Sequence, residues 1–258
     1  MGNSLRNISA IAGKELRSYF GSPVAWVLMG FFAIIFARFF LVSLVYFVQQ
    51  SMGGQFGAPP PTNVNNDMIR PLLQNASVLL LFMLPMITMR TFSEEKRAGT
   101  IELLLTSPVT DAEIMFGKFF GAVGASIGFL AVTFLYVAIL FALGTPAVKP
   151  ILSGYLGLLL LASSFIAMGL FISSTTKNQV VAAGVTFAVL LLFWILDWSA
   201  DRTGGMLGEV LTYLSVTRHF EDFARGVVDT KHVVYYLSFI AFGLFLTLKS
   251  VDSERWRG

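Results

Sequence analysis

Six long apolar runs, separated by shorter polar segments, set the pattern of this chain. The runs cover residues 24–48, 72–91, 114–143, 151–173, 180–197 and 232–249. About 20 consecutive apolar residues allow a helix to cross the hydrocarbon layer of a bilayer. Each run is therefore predicted to be a transmembrane helix. We expect an all-α integral membrane protein in which residues 1–258 form a single transmembrane domain.

The segment before the first run has the spacing of an amphipathic helix. Apolar residues recur at three- and four-residue steps and form one stripe along this helix: Leu5, Ile8, Ala12, Leu16 and Tyr19. The basic residues lie on the other sides of the helix. This pattern predicts that residues 1–22 hold an interfacial helix lying in the membrane surface. The alternative is a disordered leader. A cleavable signal peptide is not expected, because the apolar run that follows is long enough to span.

A polar segment at residues 94–113 separates the second and third runs. Four charges open it, and Gly99 then interrupts the chain. A short amphipathic piece, Thr100–Thr106, ends before Pro108, since a proline disfavours helix at the residue before it. The sequence from Thr110 to Glu113 is a capping box that starts the next helix. The pattern predicts a short helix held between two breaks.

Residues 198–231 are too polar to span a membrane and too regular to be coil. Apolar stripes run from Met206 to Leu214 and from Phe220 to Val228, with charged residues between them. They predict two short amphipathic helices before the last span. With both termini in the cytoplasm, eleven of the 18 Lys and Arg residues lie in cytoplasmic segments or near the cytoplasmic ends of spans and six lie outside, while Arg38 lies well inside a span. This bias favours that orientation and places residues 198–231 outside.

Two features within the spans allow more than one interpretation. Arg38 lies well inside the first span, where a charge costs about 2.5–3.5 kcal/mol by insertion scales. It either lines a transport path or is a snorkelling or ion-paired structural residue. Small residues in the third span, Gly117 and Gly121 and then Gly124 and Gly128, let another helix approach closely. Helix packing is the expected role, with a gate as the alternative.

Composition agrees with a membrane protein and excludes several classes of function. The chain is 55% apolar and 13% charged, with no cysteine. Its net charge of +3 reflects basic residues on cytoplasmic loops, so nucleic-acid binding is not expected. His219 and His232 are thirteen residues apart without a metal-ligand spacing, and no catalytic or phosphate-binding motif occurs. We expect no cofactor or metal. The spans contain no acid near the membrane midplane for ion-driven transport, so a partner must supply energy.

The stretch Arg90–Lys118 resembles the first cytoplasmic loop of ABC-2 type transporter permeases. In that family a span ends in an acidic and basic run, followed by Gly-Thr, a Leu-rich helix, Ser/Thr-Pro and a later Gly-Lys. The corresponding residues here are Glu94–Arg97, Gly99-Thr100, Ile101–Leu105, Ser107-Pro108 and Gly117-Lys118. The segment His219–Gly226 and the last span resemble the gliding-motility exporter branch of these permeases.

The resemblance implies a role for each matched segment. Thr100–Pro108 would be a coupling helix seated in a cleft of a cytoplasmic ABC ATPase, with Asn3–Phe20 as the interface helix and Ser174–Gln179 as a second, smaller contact. The implied ATPase-coupling residues are Glu94, Glu95, Arg97, Gly99, Thr100, Glu102, Leu103, Leu104, Ser107 and Pro108. The resemblance also implies that two copies of the permease form a homodimer and join two ATPases in a bacterial inner membrane. Cargo would pass between spans one, two and five, and a periplasmic accessory protein would assist.

Leucines in the polar segment support a docking role independently. Leu103, Leu104 and Leu105 would each forgo about 1.5–3 kcal/mol of burial if left exposed in the cytosol. They either dock on an ATPase or lie back on the membrane surface. We therefore expect the permease subunit of an ATP-driven exporter. The alternative is a membrane anchor of a cell-surface or motility complex that transports nothing, and a lipid-modifying enzyme has no catalytic residues to support it.

Overall fold

The computed structural model describes residues 2–52, 63–101, 108–203 and 205–255. Within these ranges all regular structure is helical, and six helices are long and apolar enough to cross a membrane. The predicted fold class, an all-α membrane protein with six spans, is confirmed.

The first five helices begin with α1 at the N-terminus and end with α5, the third membrane-length helix. Their bounds are Gly2–Gly21 for α1, Pro23–Met52 for α2, Arg70–Thr88 for α3, Ser93–Ala98 for α4 and Asp111–Leu143 for α5. A π-helical turn, Asn65–Ile69, leads directly into α3.

Five further helices complete the described chain. Their bounds are Val148–Thr175 for α6, Gln179–Thr203 for α7, Gly205–Leu214 for α8, Val216–Ala224 for α9 and Thr230–Arg255 for α10. The membrane-length helices are α2, α3, α5, α6, α7 and α10. The two predicted short helices before the last span are α8 and α9. Residues 198–203, predicted to belong to them, instead continue α7.

The centre of the bundle is α6, which packs against α3, α9 and α10. Small residues allow these close contacts: a Cβ added at Gly154 would meet Leu73 of α3, and one at Gly157 would meet Phe223 of α9. Most of the apolar stretch of α6 is buried, whereas only 17% of the corresponding stretches of α2 and α7 is buried. The α2 and α7 helices therefore lie at the outside of this single chain.

The glycine face of α5 is covered by α1. A Cβ added at Gly117 would lie 2.6 Å from Ile11 Cβ, and one at Gly121 would lie 2.6 Å from Glu15 Cβ. The close helix approach predicted from the glycine spacing is confirmed, and its partner is α1 rather than another span. The residue numbers of the contacting positions increase together along the two helices, so α1 and α5 pack side by side and run parallel. Protein contacts therefore fix the position of α1.

The bundle has two distinct ends. One end, called the α4 end below, contains α4, the beginning of α5, the α6–α7 turn and the end of α10, where Glu254 contacts Lys96 of α4. The opposite end, called the α9 end, contains the π-helical turn, α8 and α9. There Asn65 exchanges hydrogen bonds with the backbone of Ala147 at 2.9 and 2.8 Å, and Arg70 pairs with Glu221 at 2.6 Å.

Candidate coupling site at the α4 end

Local sequence explains where α4 and α5 begin and end. The α4 helix carries Glu94 and Glu95 in its first turn and Lys96 and Arg97 in its last, which matches the helix dipole. Gly99 ends α4 in the left-handed conformation, with φ of 70°, and its N–H donates to the Glu95 carbonyl. The predicted capping box is present at Thr110 and Glu113, so α5 begins at Asp111.

A buried lysine joins α4, α1 and α5. The Lys118 side chain, 2% exposed, lies on α5 and donates to Glu15 Oε1 of α1 at 3.0 Å and to Glu95 Oε1 of α4 at 2.9 Å. Its third hydrogen bond reaches the Thr91 carbonyl at 2.7 Å, and the ammonium also lies 5.1 Å from the centre of the Phe92 ring. Because all three donors are used, the ammonium fixes these three elements relative to one another.

Tyr19 provides a second contact between α1 and the turn before α4. Its hydroxyl lies 3.4 Å from the Ile87 carbonyl and 3.3 Å from Thr91 Oγ1. Burial raises the pKa of the Tyr19 phenol above its ordinary value. The hydroxyl therefore stays protonated and can donate. It adds an uncharged contact beside Lys118, Glu15 and Glu95, which are called the lysine cluster below.

The same turn is fastened to α6 and α10. Ser173 Oγ of α6 accepts from the backbone N–H groups of Phe92 and Ser93, both at 3.1 Å, and donates to the Met89 carbonyl at 3.1 Å. Lys96 is buried and pairs with Glu254 of α10 at 2.6 Å. The α4 helix is thus connected to α1, α5, α6 and α10 by polar contacts.

The predicted coupling residues divide into three groups. Those exposed on the surface of the α4 end are Glu94, Arg97, Gly99, Thr100 and Pro108. Glu95 turns inward to the lysine cluster, where its Oε2 atom is buried without a hydrogen-bond partner. The remaining predicted residues, Glu102, Leu103, Leu104 and Ser107, lie outside the described residues.

The second predicted contact, Ser174–Gln179, is the turn between α6 and α7. Lys177 and Asn178 are exposed there, and Asn178 Oδ1 accepts from the Val180 N–H at 2.9 Å at the start of α7. The first residue of this segment, Ser174, follows Ser173, whose hydroxyl group bonds the turn between α3 and α4. That one hydroxyl group therefore links the two predicted ATPase contacts within the molecule.

Arg38 lies on the outer side of α2. The buried residues of that helix are Phe32, Phe36 and Phe40, and Arg38 is exposed on another side. Within the described residues it forms no ion pair. A guanidinium so placed would face either lipid or a further protein chain.

Sequence reasoning missed Glu15, Lys118, Ser173 and Glu254 as parts of this site. A signal for two of them existed: Glu15 falls between Ala12 and Tyr19 in the apolar stripe of α1, and Lys118 lies inside an apolar span. Buried charges need partners, so an acid and a base on apolar faces predict an ion pair. Ser173 carried no comparable signal.

A polar cluster at the α9 end was also missed. His219 and His232 place their Nδ1 atoms 2.6 Å apart, His232 Nε2 lies 2.7 Å from Asp222 Oδ2, and His219 Nε2 lies 2.9 Å from the Tyr213 carbonyl. Because a carbonyl only accepts, His219 carries its proton on Nε2 and accepts at Nδ1. His232 then donates from Nδ1 to His219, and its Nε2 shares a hydrogen bond with Asp222 Oδ2.

The model of one protein family, described as ABC-2 family transporter protein, matches residues 9–221. The match extends from α1 through all of α2 to α8 and into α9, and so includes the α4 end. No curated protein matches the chain.

Proposed function

Because the chain belongs to the ABC-2 transporter family and so is a membrane component of an ABC transporter, we propose that its α4 end receives the movement of a separate ATPase subunit. Members of this family work with an ABC ATPase, and the permease subunit is not itself the enzyme. In the proposed complex, the segment 94–113 docks on the ATPase, and α1 and the α6–α7 turn border the contact.

The observation that carries this proposal is the lysine cluster of Glu15, Glu95 and Lys118. A docking segment transmits force only if its base cannot bend independently of the spans. The cluster ties α4 to α1 and α5 through two carboxylates around one ammonium, while Glu94, Arg97 and Thr100 stay exposed beside it. A partner pressing on this surface would therefore move α1 and α5 together.

We further propose that two copies form the permease, with the transport path between α2, α3 and α7 of each. Most of α2 and α7 is uncovered in the single chain. Arg38 is exposed near the middle of α2, where contact with lipid would cost about 2.5–3.5 kcal/mol. A second copy, or a water-filled path lined by both copies, would remove this cost. Two ATPase subunits then complete the unit.

The orientation, cellular membrane and direction of transport belong to the same proposal. The bias of basic residues supports a cytoplasmic α4 end. A bacterial inner membrane, export of cargo and a periplasmic accessory partner at the α9 end are the arrangement we propose. The family match does not distinguish branches, so the resemblance of His219–Gly226 to gliding-motility exporters stays a prediction.

The experiment that tests docking is co-purification with a candidate ATPase encoded beside this gene. A variant with Leu103, Leu104 and Leu105 changed to Ser should insert normally and lose the ATPase. The matched control changes the exposed Val227 and Val228 of the α9 end to Ser and should keep it. If the leucine variant binds the ATPase as well as the control does, the docking proposal is wrong.

ATP hydrolysis by the complex separates a transporter from an anchor. In liposomes, an exporter's ATPase should turn over faster when bound to this permease, and a transported cargo should change that rate further. An anchor that transports nothing would hold the ATPase without altering its turnover. An unchanged rate across a panel of lipids, peptides and saccharides would support the anchor alternative.

A further inference from the structure

A cleft of about 590 Å³ opens between α1, the beginning of α2 and the end of α3. Its lining changes character along its length. One part is polar and includes Arg17 and Arg90, and another part is apolar and includes Val24, Leu28 and Met86. The volume falls within the range of about 300–1,000 Å³ typical of small-molecule sites.

Two guanidinium groups in this cleft have no counter-ion among the described residues. Arg17 is exposed and Arg90 is half-buried, and neither guanidinium takes part in an ion pair or hydrogen bond there. The acids nearby do not compensate them: Glu15 and Glu95 are engaged by Lys118 at 3.0 and 2.9 Å. Three acids line the cleft, and among the described residues only Glu94 of these forms no ion pair. Two unpaired guanidinium groups thus face one unpaired carboxylate, so the cleft keeps a net positive charge.

The position of the cleft favours the depth of lipid headgroups. The α1 helix ends at Gly21, and α2, the first helix long and apolar enough to cross a membrane, begins at Pro23. Trp26 is 58% exposed beside this turn, and its indole N–H donates to the Phe20 carbonyl at 2.8 Å. Tryptophan is enriched at the boundary between membrane and water. An occupant would thus meet the arginines at this boundary and the apolar lining on the side of the hydrocarbon.

We propose that this cleft binds an anionic phospholipid from the leaflet at the α4 end. Its phosphate lies between Arg17 and Arg90, since the planar guanidinium donates paired hydrogen bonds to phosphate oxygens. One acyl chain lies along Val24, Leu28 and Met86. A soluble anion would leave that apolar lining uncovered, and a neutral lipid would leave the cleft's positive charge uncompensated.

The bound lipid has a structural consequence for the α4 end. Glu95 and Lys118 also line this cleft, so the headgroup lies against the junction that holds α4 to α1 and α5. The inference does not rest on the proposed function, because the permease alone would retain the lipid. A chain that binds no lipid would therefore not contradict docking on an ATPase, and a chain that docks on no ATPase would not contradict lipid binding.

The test measures lipid retained by the full chain purified in detergent from membranes containing phosphatidylglycerol and phosphatidylcholine. Native mass spectrometry should show wild type retaining phosphatidylglycerol over phosphatidylcholine. Changing Arg17 and Arg90 to Gln should reduce that retention about tenfold or more, as expected for charge-assisted hydrogen bonds. Arg6→Gln is the matched control, because Arg6 is exposed on the same helix and does not line the cleft.

Several outcomes would overturn the proposal. Equal retention by wild type, the double variant and R6Q would show only general attraction to the membrane surface, and equal retention of both lipids would exclude charge recognition. Displacement of phosphatidylglycerol by inorganic phosphate alone would assign the cleft to free phosphate. A variant with Arg17 and Arg90 changed to Lys should keep part of the preference; if the Gln variant is misfolded, absence of any preference in this Lys variant would overturn the lipid site.

Discussion

At the scale of single residues, the α4 end depends on one buried cation. Lys118 is the group on which α1, α4 and α5 converge, and both carboxylates around it are largely withdrawn from solvent. Such an ion pair contributes modestly when complete, because desolvation offsets attraction, but removing one partner leaves uncompensated charge. This asymmetry makes Lys118 more sensitive to substitution than its pairing energy alone would indicate.

We predict that Lys118→Met lowers the free energy of unfolding by about 3–5 kcal/mol, because Glu15 and Glu95 would then lose their shared buried cation and keep only the exposed Lys14, 3.8 Å from Glu95. Thermal unfolding of the purified protein in detergent provides the measurement. The control, Lys177→Met, alters an exposed lysine of the α6–α7 turn and should have little effect. Changing Glu15 and Glu95 to Gln in the K118M background should restore part of the loss. Equal melting of K118M and wild type would show that the cluster is not structural.

The histidine cluster at the α9 end predicts a dependence of stability on pH. Burial lowers the pKa of His219, with smaller effects from the Tyr213 carbonyl, His232, Lys231 and Asp222. The unfolded chain therefore binds a proton at this site more readily than the folded chain. The stabilisation is complete above the unfolded pKa of about 6.5 and is lost progressively as pH falls below it.

Protonation of His219 would also make its contact with the His232 ring repulsive. A proton on His219 Nδ1 would face the donating Nδ1 of His232 at 2.6 Å, while Tyr235 stacks on His219 with ring centres 3.8 Å apart. We expect the melting temperature to fall as the pH drops below about 6.5, and His219→Gln to flatten that fall. A wild-type melting temperature that rises on acidification would contradict this assignment of protons.

At the scale of helices, the sequence pattern predicted the positions of most helices along the chain but not which helices pack against one another. Apolar runs predicted six spans, the capping box predicted the start of α5, and amphipathic stripes predicted α8 and α9. The glycine spacing of α5 predicted a close neighbour without identifying it, because the same spacing suits any helix. The α7 helix continues to Thr203, past the fifth apolar run at 180–197, since a helix need not stop where the apolar run stops.

The functional site was less accessible to prediction for a related reason. The charged run at Glu94–Arg97 and the Gly99 break are local features, and the sequence shows them directly. The partners of Glu95 and Lys96 come from positions 15, 118 and 254. Those distant contacts arise from the packing of α1 and α10 on the bundle, which spacing along one helix does not encode.

Packing of α1 on α5 gives a prediction with a matched control. Gly121→Leu should separate the helices, because even its Cβ would lie 2.6 Å from Glu15 Cβ. We expect a loss of about 1–3 kcal/mol in the free energy of unfolding, as for overpacked cores. Gly184→Leu on α7 should be nearly neutral, since a Cβ there meets nothing within 4 Å. Similar melting of the two variants would contradict the close contact of α1 and α5.

At the scale of the whole molecule, the outer face of α2 tests the proposed pair of permeases. The natural chain has no cysteine, so single cysteines report contacts cleanly. Ile34 lies one helical turn from Arg38 and is 72% exposed. Oxidation of the Ile34→Cys variant in membranes should give a disulfide-linked dimer. Phe245→Cys on α10, 55% exposed in the single chain, is the control. Equal cross-linking at both positions would indicate random collision rather than an α2 interface.

The proposed coupling requires that the α4 end face the cytoplasm and hold an ATPase. A single cysteine at the exposed Thr100, cross-linked in cells that also express the candidate ATPase, provides the decisive measurement. We predict that Thr100→Cys cross-links to the ATPase and resists a maleimide that cannot cross the membrane, whereas Val227→Cys at the α9 end reacts with that maleimide and does not cross-link. Labelling of Thr100→Cys from outside intact cells, with no cross-link to the ATPase, would contradict it.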